Sequence, residues 1–251
     1  MNGLRSVAKK GFLTWLHEAR PDVLLLQETR VEDHQIPKEI LEQSGYQTFW
    51  FSSRRKKGYS GTAIFSRSKP DSVSYGFDGP ASDDEGRIIA ACFGDLLIYN
   101  VYFPNGKASP ERLKFKMDFY EAFQKKVVAD VKSGKKVLIG GDVNTAHHPI
   151  DLARPKDNEE ISGFLPMERA WMDRFEAAGF FDIFRIFHPE PDQYTWWSMR
   201  SGARARNVGW RIDYFYASEN LRSSVKDAFI LPDVPGSDHC PIGVNLEHPS
   251  S

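Results

Sequence analysis

The sequence predicts a single α/β domain in which two packed β-sheets carry helices on their outer faces. Three observations lead there. Short apolar runs rich in β-branched and aromatic residues recur along the chain, each bounded by Gly, Pro or polar residues. Between them, fewer segments repeat apolar residues at helical spacing. No low-complexity linker or short-period repeat divides the 251 residues, a length that buries a large core.

The first element is helical. Leu4, Val7, Ala8, Phe12, Trp15, Leu16 and Ala19 recur at helical spacing, and Arg20-Pro21 ends the run. This basic amphipathic segment superficially suggests a transit peptide, but an ordinary surface helix explains it better. Val23-Leu24-Leu25-Leu26 then reads as a strand closed by Gln27-Glu28, followed by a helix over 37–43. Strands are expected at 46–51, 62–65, 87–93 and 96–102. Ser109-Pro110-Glu111 starts a long helix over 111–132 that Gly134 stops, and its Leu113, Phe115, Phe119, Ala122, Phe123 and Val127 largely share a face. A strand at 137–140, a helix at 167–178 and strands at 194–197, 211–216, 228–231 and 242–246 complete the pattern. The longest loops, 147–166 and 198–209, are of a size that is commonly functional.

Composition narrows the class. With 41% hydrophobic and 27% charged residues the chain is of the globular soluble kind, and no apolar run approaches the ~20 residues of a transmembrane helix. Cys92 and Cys240 sit in apolar sequence, so a disulfide is not expected, the ligand count excludes a zinc site, and a reducing, intracellular setting is favoured. A protein that does nothing but bind nucleic acid would be more basic than the net charge of −1. A nuclease that gathers carboxylates around a metal can be near neutral while one face stays positive, so charge alone decides nothing.

The chemistry lies at the ends of the apolar runs. Glu28 follows Leu24 to Gln27, Asp142-Val143-Asn144 closes Val137 to Gly141, and Ser237-Asp238-His239 opens the last strand. Any one of these has an ordinary explanation: a loop salt bridge for Glu28, an Asx-turn for Asp142 and Asn144, a structural histidine for His239. Jointly they supply oxygen ligands for a hard cation, a base for water and a donor for phosphate. Asp142 and Asn144, two apart, face the same side of an extended backbone. Asp213, between aromatics in Arg211-Ile212-Asp213-Tyr214, needs a buried partner and is the candidate to orient His239.

Gln27-Glu28-Thr29, Gly58-Tyr59-Ser60-Gly61, Glu85-Gly86-Arg87, Gly141-Asp142-Val143-Asn144-Thr145-Ala146-His147, Asn207-Val208-Gly209-Trp210-Arg211-Ile212-Asp213-Tyr214 and Gly236-Ser237-Asp238-His239-Cys240-Pro241 occur in that order along nearly the whole chain. Together they resemble the exonuclease III-type AP endonucleases. The resemblance implies a four-layered α/β sandwich, two facing mixed β-sheets flanked by helices, forming one catalytic domain over 1–251. It implies DNA phosphodiester cleavage 5′ to abasic sites, with Mg²⁺ as cofactor and Mn²⁺ as an alternative, and with 3′→5′ exonuclease and 3′-phosphodiesterase activities. Tyr102, Asp142, Asn144, Asp213 and His239 take the catalytic positions. Glu28 and Asp238, with Asn2, Asp142, Asn144 and His239, take those around the metal.

The same resemblance makes Trp196, Trp210 and Ile212 the walls of a pocket for a flipped-out abasic sugar, where composition alone would call them core. Trp196 stands where the family usually has phenylalanine. Arg30, Gly58, Tyr59, Arg87, Asn105, Lys107, His147, Asn158, Arg200 and Arg206 fall on DNA-binding positions, supported by the basic runs Arg54 to Lys57 and Arg200, Arg204, Arg206. The expected partner is double-stranded DNA with abasic or damaged sites, bound by a monomer inside the cell, at the nucleoid or in the nucleus, with no membrane. One departure stands out. The family begins with a strand bearing a metal-site Asn, and Met1-Asn2-Gly3-Leu4-Arg5 matches only the family residues after that Asn. Either the true start lies upstream or metal binding and stability are weakened. Phosphoesterases of the same fold acting on inositol phosphates or lipids usually lack the 207–214 stretch. A damaged-DNA binder without chemistry would bind abasic DNA and not cut it.

Overall fold

The computed structural model describes residues 1–42, 45–77 and 83–247. In chain order its elements are α1 (Leu4–Ala8), α2 (Phe12–Ala19), β1 (Val23–Gln27), α3 (Lys38–Leu41), β2 (Gln47–Phe51), β3 (Thr62–Ser66), β4 (Ser72–Tyr75), β5 (Ile88–Phe93), β6 (Leu96–Tyr102), α4 (Pro110–Lys132), β7 (Lys136–Asp142), α5 (Pro166–Ala177), β8 (Phe180–Asp182), α6 (Ile183–Phe187), β9 (Trp196–Trp197), β10 (Gly209–Trp210), β11 (Asp213–Ser218), β12 (Val225–Ile230) and β13 (Ile242–Leu246). Gln43, the expected end of the 37–43 helix, lies outside the described residues. The single helix expected over 4–19 is two, because Gly11 sits at φ 91° and breaks the spiral. Its apolar stripe survives the break, since Leu4, Val7, Phe12 and Leu16 pack in one cluster. The short strands β4 and β8 escape the sequence pattern: one is a polar edge strand, the other is three residues long and fully buried.

A six-stranded sheet in the order β4-β5-β6-β7-β11-β8 forms the centre, antiparallel except where β6 and β7 run parallel. Facing it are the three-stranded β1-β3-β2 ladder and the two-stranded β12-β13 ladder. Val23 and Leu25 of β1 and Val244 and Leu246 of β13 enter the same apolar cluster against the central sheet. β1 is laddered only to β3, and β13 only to β12, so one edge of each is unpaired among the described residues. The first residues run past the end of β1, where the Met1 ammonium donates to Gln27 O and the Gly3 and Leu4 amides to Glu28 O and Thr29 O.

Alternation along the strands builds the layers. On β7, Val137 and Ile139 face α4 and α5, while Leu138 faces the other sheet. Phe119, Tyr120 and Phe123 of α4 and Trp171 and Phe175 of α5 fill the outer layer. α1, α2 and Ile40 of α3 cover β1 and β3 on the opposite side. Gly140 lets the two sheets close, because a Cβ there would lie 2.6 Å from Leu25 Cδ1 and 2.5 Å from Phe215. Asn100, fully buried on β6, then joins them: its amide donates to Leu26 O (3.1 Å) and Ala63 O (2.8 Å) and accepts from Gln27 Nε2 (2.7 Å).

Asp151, in the loop after β7, is fully buried and accepts from Arg211 Nε (2.8 Å) and Arg185. Burial would raise its pKa, but the charge and hydrogen bond of Arg211, with Arg185, hold it down at about 2. A carboxyl depressed in this way stabilises the fold above the unfolded pKa and loses that contribution as pH falls toward 2. Asp151→Asn should therefore lose about 3 kcal/mol at pH 7, because buried Arg211 keeps only Asp182 (2.6 Å) as its anion and half-buried Arg185 loses its own. The gap to wild type should narrow below about pH 4, as urea unfolding at several pH values would show. A gap independent of pH would contradict the ion-pair account.

Candidate active site

Three adjacent strands of the central sheet bring three side chains to one rim. Tyr102 ends β6, Asp142 ends β7 beside it, and Asp213 opens β11 directly opposite Asp142. The facing sheet contributes Glu28, which follows β1 with φ 61°. Its Oε1 accepts from the Arg30 guanidinium (2.5 Å) and the Tyr102 hydroxyl (3.1 Å). Burial and the charges of Glu28 and Asp142 push the Tyr102 phenol well above its ordinary pKa, so it stays a neutral donor.

Asn144 does not continue the strand. At φ 56° it turns back over Asp142, donating its backbone N–H to Oδ1 (2.8 Å) and its amide to Oδ2 (3.2 Å). The two side chains thus meet through a turn, not through an extended face. The Asn144 amide also donates to Phe103 O (2.9 Å) and accepts from Asn105 Nδ2 (2.9 Å). Beneath the turn lies fully buried Lys116, which donates to Asn144 O (2.8 Å), Thr145 Oγ1 (2.8 Å) and Glu168 Oε1 (2.6 Å). Sequence reasoning missed Lys116, although a charge three residues after Leu113 and four before Tyr120 sits in the apolar stripe of α4 and signals a buried partner.

His239 bridges two carboxylates. Its Nδ1 lies 2.9 Å from Asp213 Oδ2 and its Nε2 4.0 Å from Asp142 Oδ2. Thr195, also missed in the sequence, donates to Asp213 Oδ2 (2.6 Å) and accepts from the Ile212 and Asp213 amides (3.1 Å each). Burial alone would lower the His239 pKa, but Asp213, through charge and hydrogen bond, and Asp142 raise it to about 9. Burial and the Asp213 charge push Asp142 up to about 7, against the opposing charge of His239. Asp238 accepts from Trp196 Nε1 (3.1 Å) and Ser237 Oγ (3.2 Å). Although burial opposes it, the charge of His239 holds its carboxyl below the ordinary range. At this site the ligand atoms already within 4.8 Å of one another are those of Asp142, Asp213 and His239.

These groups open into a cleft of about 150 Å³ that also takes in Asn2, Arg30, Asn105 and Lys107. Trp196, Trp210 and Ile212 line it as expected of a pocket wall, while Trp197 is core. Lys107 Nζ lies 5.9 Å from the Trp196 ring and 5.2 Å from that of Trp210. A larger cleft of about 530 Å³, bordered by His17, Asp22 and Arg67, lies at the opposite end of β1 and gathers none of these groups.

Several candidate DNA contacts are placed elsewhere. Arg87 is 1% exposed, with its guanidinium donating to Glu85 (2.8 Å), Tyr102 O (2.8 Å) and Tyr59 (3.1 Å), so it has no free face for a phosphate. His147 is equally buried, against Asp173. The Tyr59 hydroxyl is engaged by Arg87 and Arg112, and Asn158 donates to Arg154 O, both outside the cleft lining, as is exposed Gly58. Arg204 spends its guanidinium on Ser237 O, Pro232 O and Val234 O. Arg200, Arg206 and Arg54 to Lys57 remain exposed.

Comparison with known proteins agrees with this geometry. Residues 1–239 match the model of the Endonuclease/Exonuclease/phosphatase family. The chain belongs to that family. It is similar, at 43% identity over 96% of its length and 95% of the relative's, to an exodeoxyribonuclease of Bacillus subtilis. It is 37% identical to the DNA repair nuclease APEX1 of Danio rerio, over 98% of this chain and 80% of that protein. Among solved structures, an AP endonuclease from Archaeoglobus fulgidus superposes on this family member with a TM-score of 0.88 at 28% identity, covering 98% of this chain and 96% of that one. The resemblance to exonuclease III-type AP endonucleases read from the six motifs therefore holds, as does the mixed α/β fold.

The opposed effects of Asp213 and His239 on Asp142 generate a test. In metal-free protein, His239→Gln removes the cation that lowers the Asp142 pKa, so its titration should move upward from about 7, by roughly one unit or more. Carboxyl-detected NMR titration reads this directly. A midpoint unchanged or lowered would refute the coupling.

Proposed function

We propose that this chain is a DNA repair phosphodiesterase that cleaves 5′ to abasic sites and removes 3′ nucleotides and 3′ blocks at the same centre. The carrying observation is the meeting of Glu28, Asp142, Asn144 and His239, the last backed by Asp213, in one cleft walled by Trp196, Trp210 and Ile212. The phosphodiesterase groups and the apolar slot share one volume. That favours a sugar-phosphate substrate without its base over a free inositol phosphate, which is polar all round. The activities named for the Bacillus and Danio relatives support the same reading. We assign the whole chain to one catalytic domain acting as a monomer on double-stranded DNA inside the cell. No helix among the described residues is long and apolar enough to cross a membrane.

The donor set fits a hard divalent cation. Three carboxylates, Glu28, Asp142 and Asp238, border the cleft, and burial with the charge of Asp213 holds Asp142 above its ordinary pKa. Glu28 and Asp238 would hold Mg²⁺, with Asn2 at the rim; when bound, the cation offsets charge on the leaving 3′-oxygen. Asp142 takes the proton of the attacking water as its oxygen bonds to phosphorus and the bond to the 3′-oxygen breaks. Asn144 orients Asp142, and Asn105, whose amide keeps one proton beyond its bond to Asn144, offers it to the phosphate oxygens. His239, kept as imidazolium by Asp213, donates to the same group. The tryptophan walls and Ile212 exclude a nucleotide that carries its base. Lys107, Arg200 and Arg206 contact DNA phosphates from the rim, which makes binding salt-dependent.

The test is nicking of an oligonucleotide with a single abasic site, in Mg²⁺ and in EDTA, beside inositol-phosphate and lipid substrates. Cleavage 5′ to the lesion should require the cation. Asp142→Asn should lower kcat about 10²–10⁴-fold and leave abasic-DNA binding within a few-fold. Absence of a metal-dependent nick, or full activity of Asp142→Asn, would overturn the proposal.

A further inference from the structure

A second cluster of metal-ligating side chains lies on the far side of the turn that carries Asn144. His147 and His148 come after that turn, and Asp173 and Glu176 stand one helical turn apart on α5. The backbone of His147 is pinned on both sides, its N–H donating to Tyr214 Oη (3.1 Å) and its carbonyl accepting from Arg169 Nε (2.8 Å). Its ring is 1% exposed and stacks on that of His148, with centroids 3.7 Å apart.

The two ring nitrogens of His147 have different surroundings. Nε2 lies 2.7 Å from Asp173 Oδ1, so the proton belongs there. Nδ1 is buried, faces Glu176 Oε1 at 3.4 Å and makes no hydrogen bond. With Nε2 protonated, a neutral His147 turns a lone pair toward a carboxylate oxygen, a repulsive pair in a buried place. A second ring proton, which burial opposes and Glu176 and Asp173 favour, or a metal cation between them resolves it. A third donor is at hand, since a ring nitrogen of His148, one of His147 and a Glu176 oxygen lie within 4.8 Å of one another.

We propose that His147 Nδ1, His148 and Glu176 form a second metal site, which takes a transition cation of the Zn²⁺ class and is distinct from the carboxylate-rich cleft. Two imidazoles and one carboxylate are a donor set for such a cation, and too rich in nitrogen for Mg²⁺. Asp173, accepting the Nε2 proton, supplies the carboxylate behind a ligating histidine that orients such sites. Glu176 and His148 are accessible enough to leave a coordination position for water. Two cysteines are too few for a thiolate zinc site, but this site needs none. Its consequence is mechanical: the cation ties the loop after Asn144 to the last turn of α5.

Co²⁺ titration of the intact chain in excess Mg²⁺ tests the proposal, since Mg²⁺ saturates the cleft and leaves a nitrogen-rich site to Co²⁺. A visible d–d band should appear and be displaced by Zn²⁺, and Zn²⁺ should raise the Tm. His148→Ala and Glu176→Gln, both at accessible positions, should each weaken Co²⁺ binding at least tenfold and remove the Tm gain. Mg²⁺-dependent activity and far-UV circular dichroism should not change, which separates lost binding from lost fold. Absence of the band would mean that Nδ1 carries a proton only. A band that survives both variants and disappears in Asp142→Asn would put the cation in the cleft. Either result overturns the second site.

Discussion

The register between the two sheets governs everything at the rim. Carboxylates from different sheets reach one cleft only if β1 lies at a fixed height against β6 and β7, and apolar packing alone would let the layers slide. Asn100 removes that freedom. Its amide spans the gap to Leu26 O and Ala63 O while Gln27 reaches back to it, so two strands of the facing sheet are indexed to one residue of β6. Glu28 is the next residue after Gln27, and Tyr102 lies two beyond Asn100 on the same strand. Their 3.1 Å hydrogen bond is therefore the outer end of the same junction. A buried amide with these partners satisfied is directional in a way that Leu25 against Phe215 cannot be. Gly140 permits the close approach that makes the junction short enough.

Once the layers are indexed, the cleft has an electrostatic difficulty. Asp142 and Asp213 face each other across neighbouring strands, and His239 beside them answers both. The imidazolium that Asp213 stabilises is also what keeps Asp142 from rising further. Charge balance thus makes the three groups one unit, in which changing any member shifts the proton affinity of the others. Thr195 fixes that unit to the backbone, because its hydroxyl gives its one proton to Asp213 and takes two amide protons from the same strand start.

Much of this was legible in the sequence, for a physical reason. Strands that end buried must dispose of polar groups at their rims, so Glu28, Asp142, Asp213 and His239 showed themselves as polar residues at the ends of apolar runs. Periodicity found the long helix α4 to within a residue and found β6 and β13 outright. It did not find β8, whose three residues are too few to show a period. It merged α1 and α2 because the apolar stripe continues across Gly11. A charged residue in a sequence also does not reveal which way it faces. That is why Arg87 and His147 read as DNA contacts although both are buried, whereas Lys116 betrays its burial only through its place in the α4 stripe.

The burial of Arg87 gives its motif a different role. Glu85 is ion-paired with Arg87 and Arg112, and the Tyr59 hydroxyl accepts from both guanidinium groups. Glu85-Gly86-Arg87 can make that turn only with glycine in the middle, at φ 68° and packed against Phe51 O. Arg87 then stacks 4.7 Å from the Tyr102 ring centroid and donates to its carbonyl. Tyr59, Glu85 and Arg87 thus stand behind Tyr102, which itself lines the cleft. They hold Tyr102 at the height where its hydroxyl meets Glu28, and they place a buried cation behind a ring whose front faces two carboxylates. A basic residue read as a grip on the substrate acts instead through the residue that it supports. The cost of moving it would appear at Tyr102 before it appeared in DNA affinity.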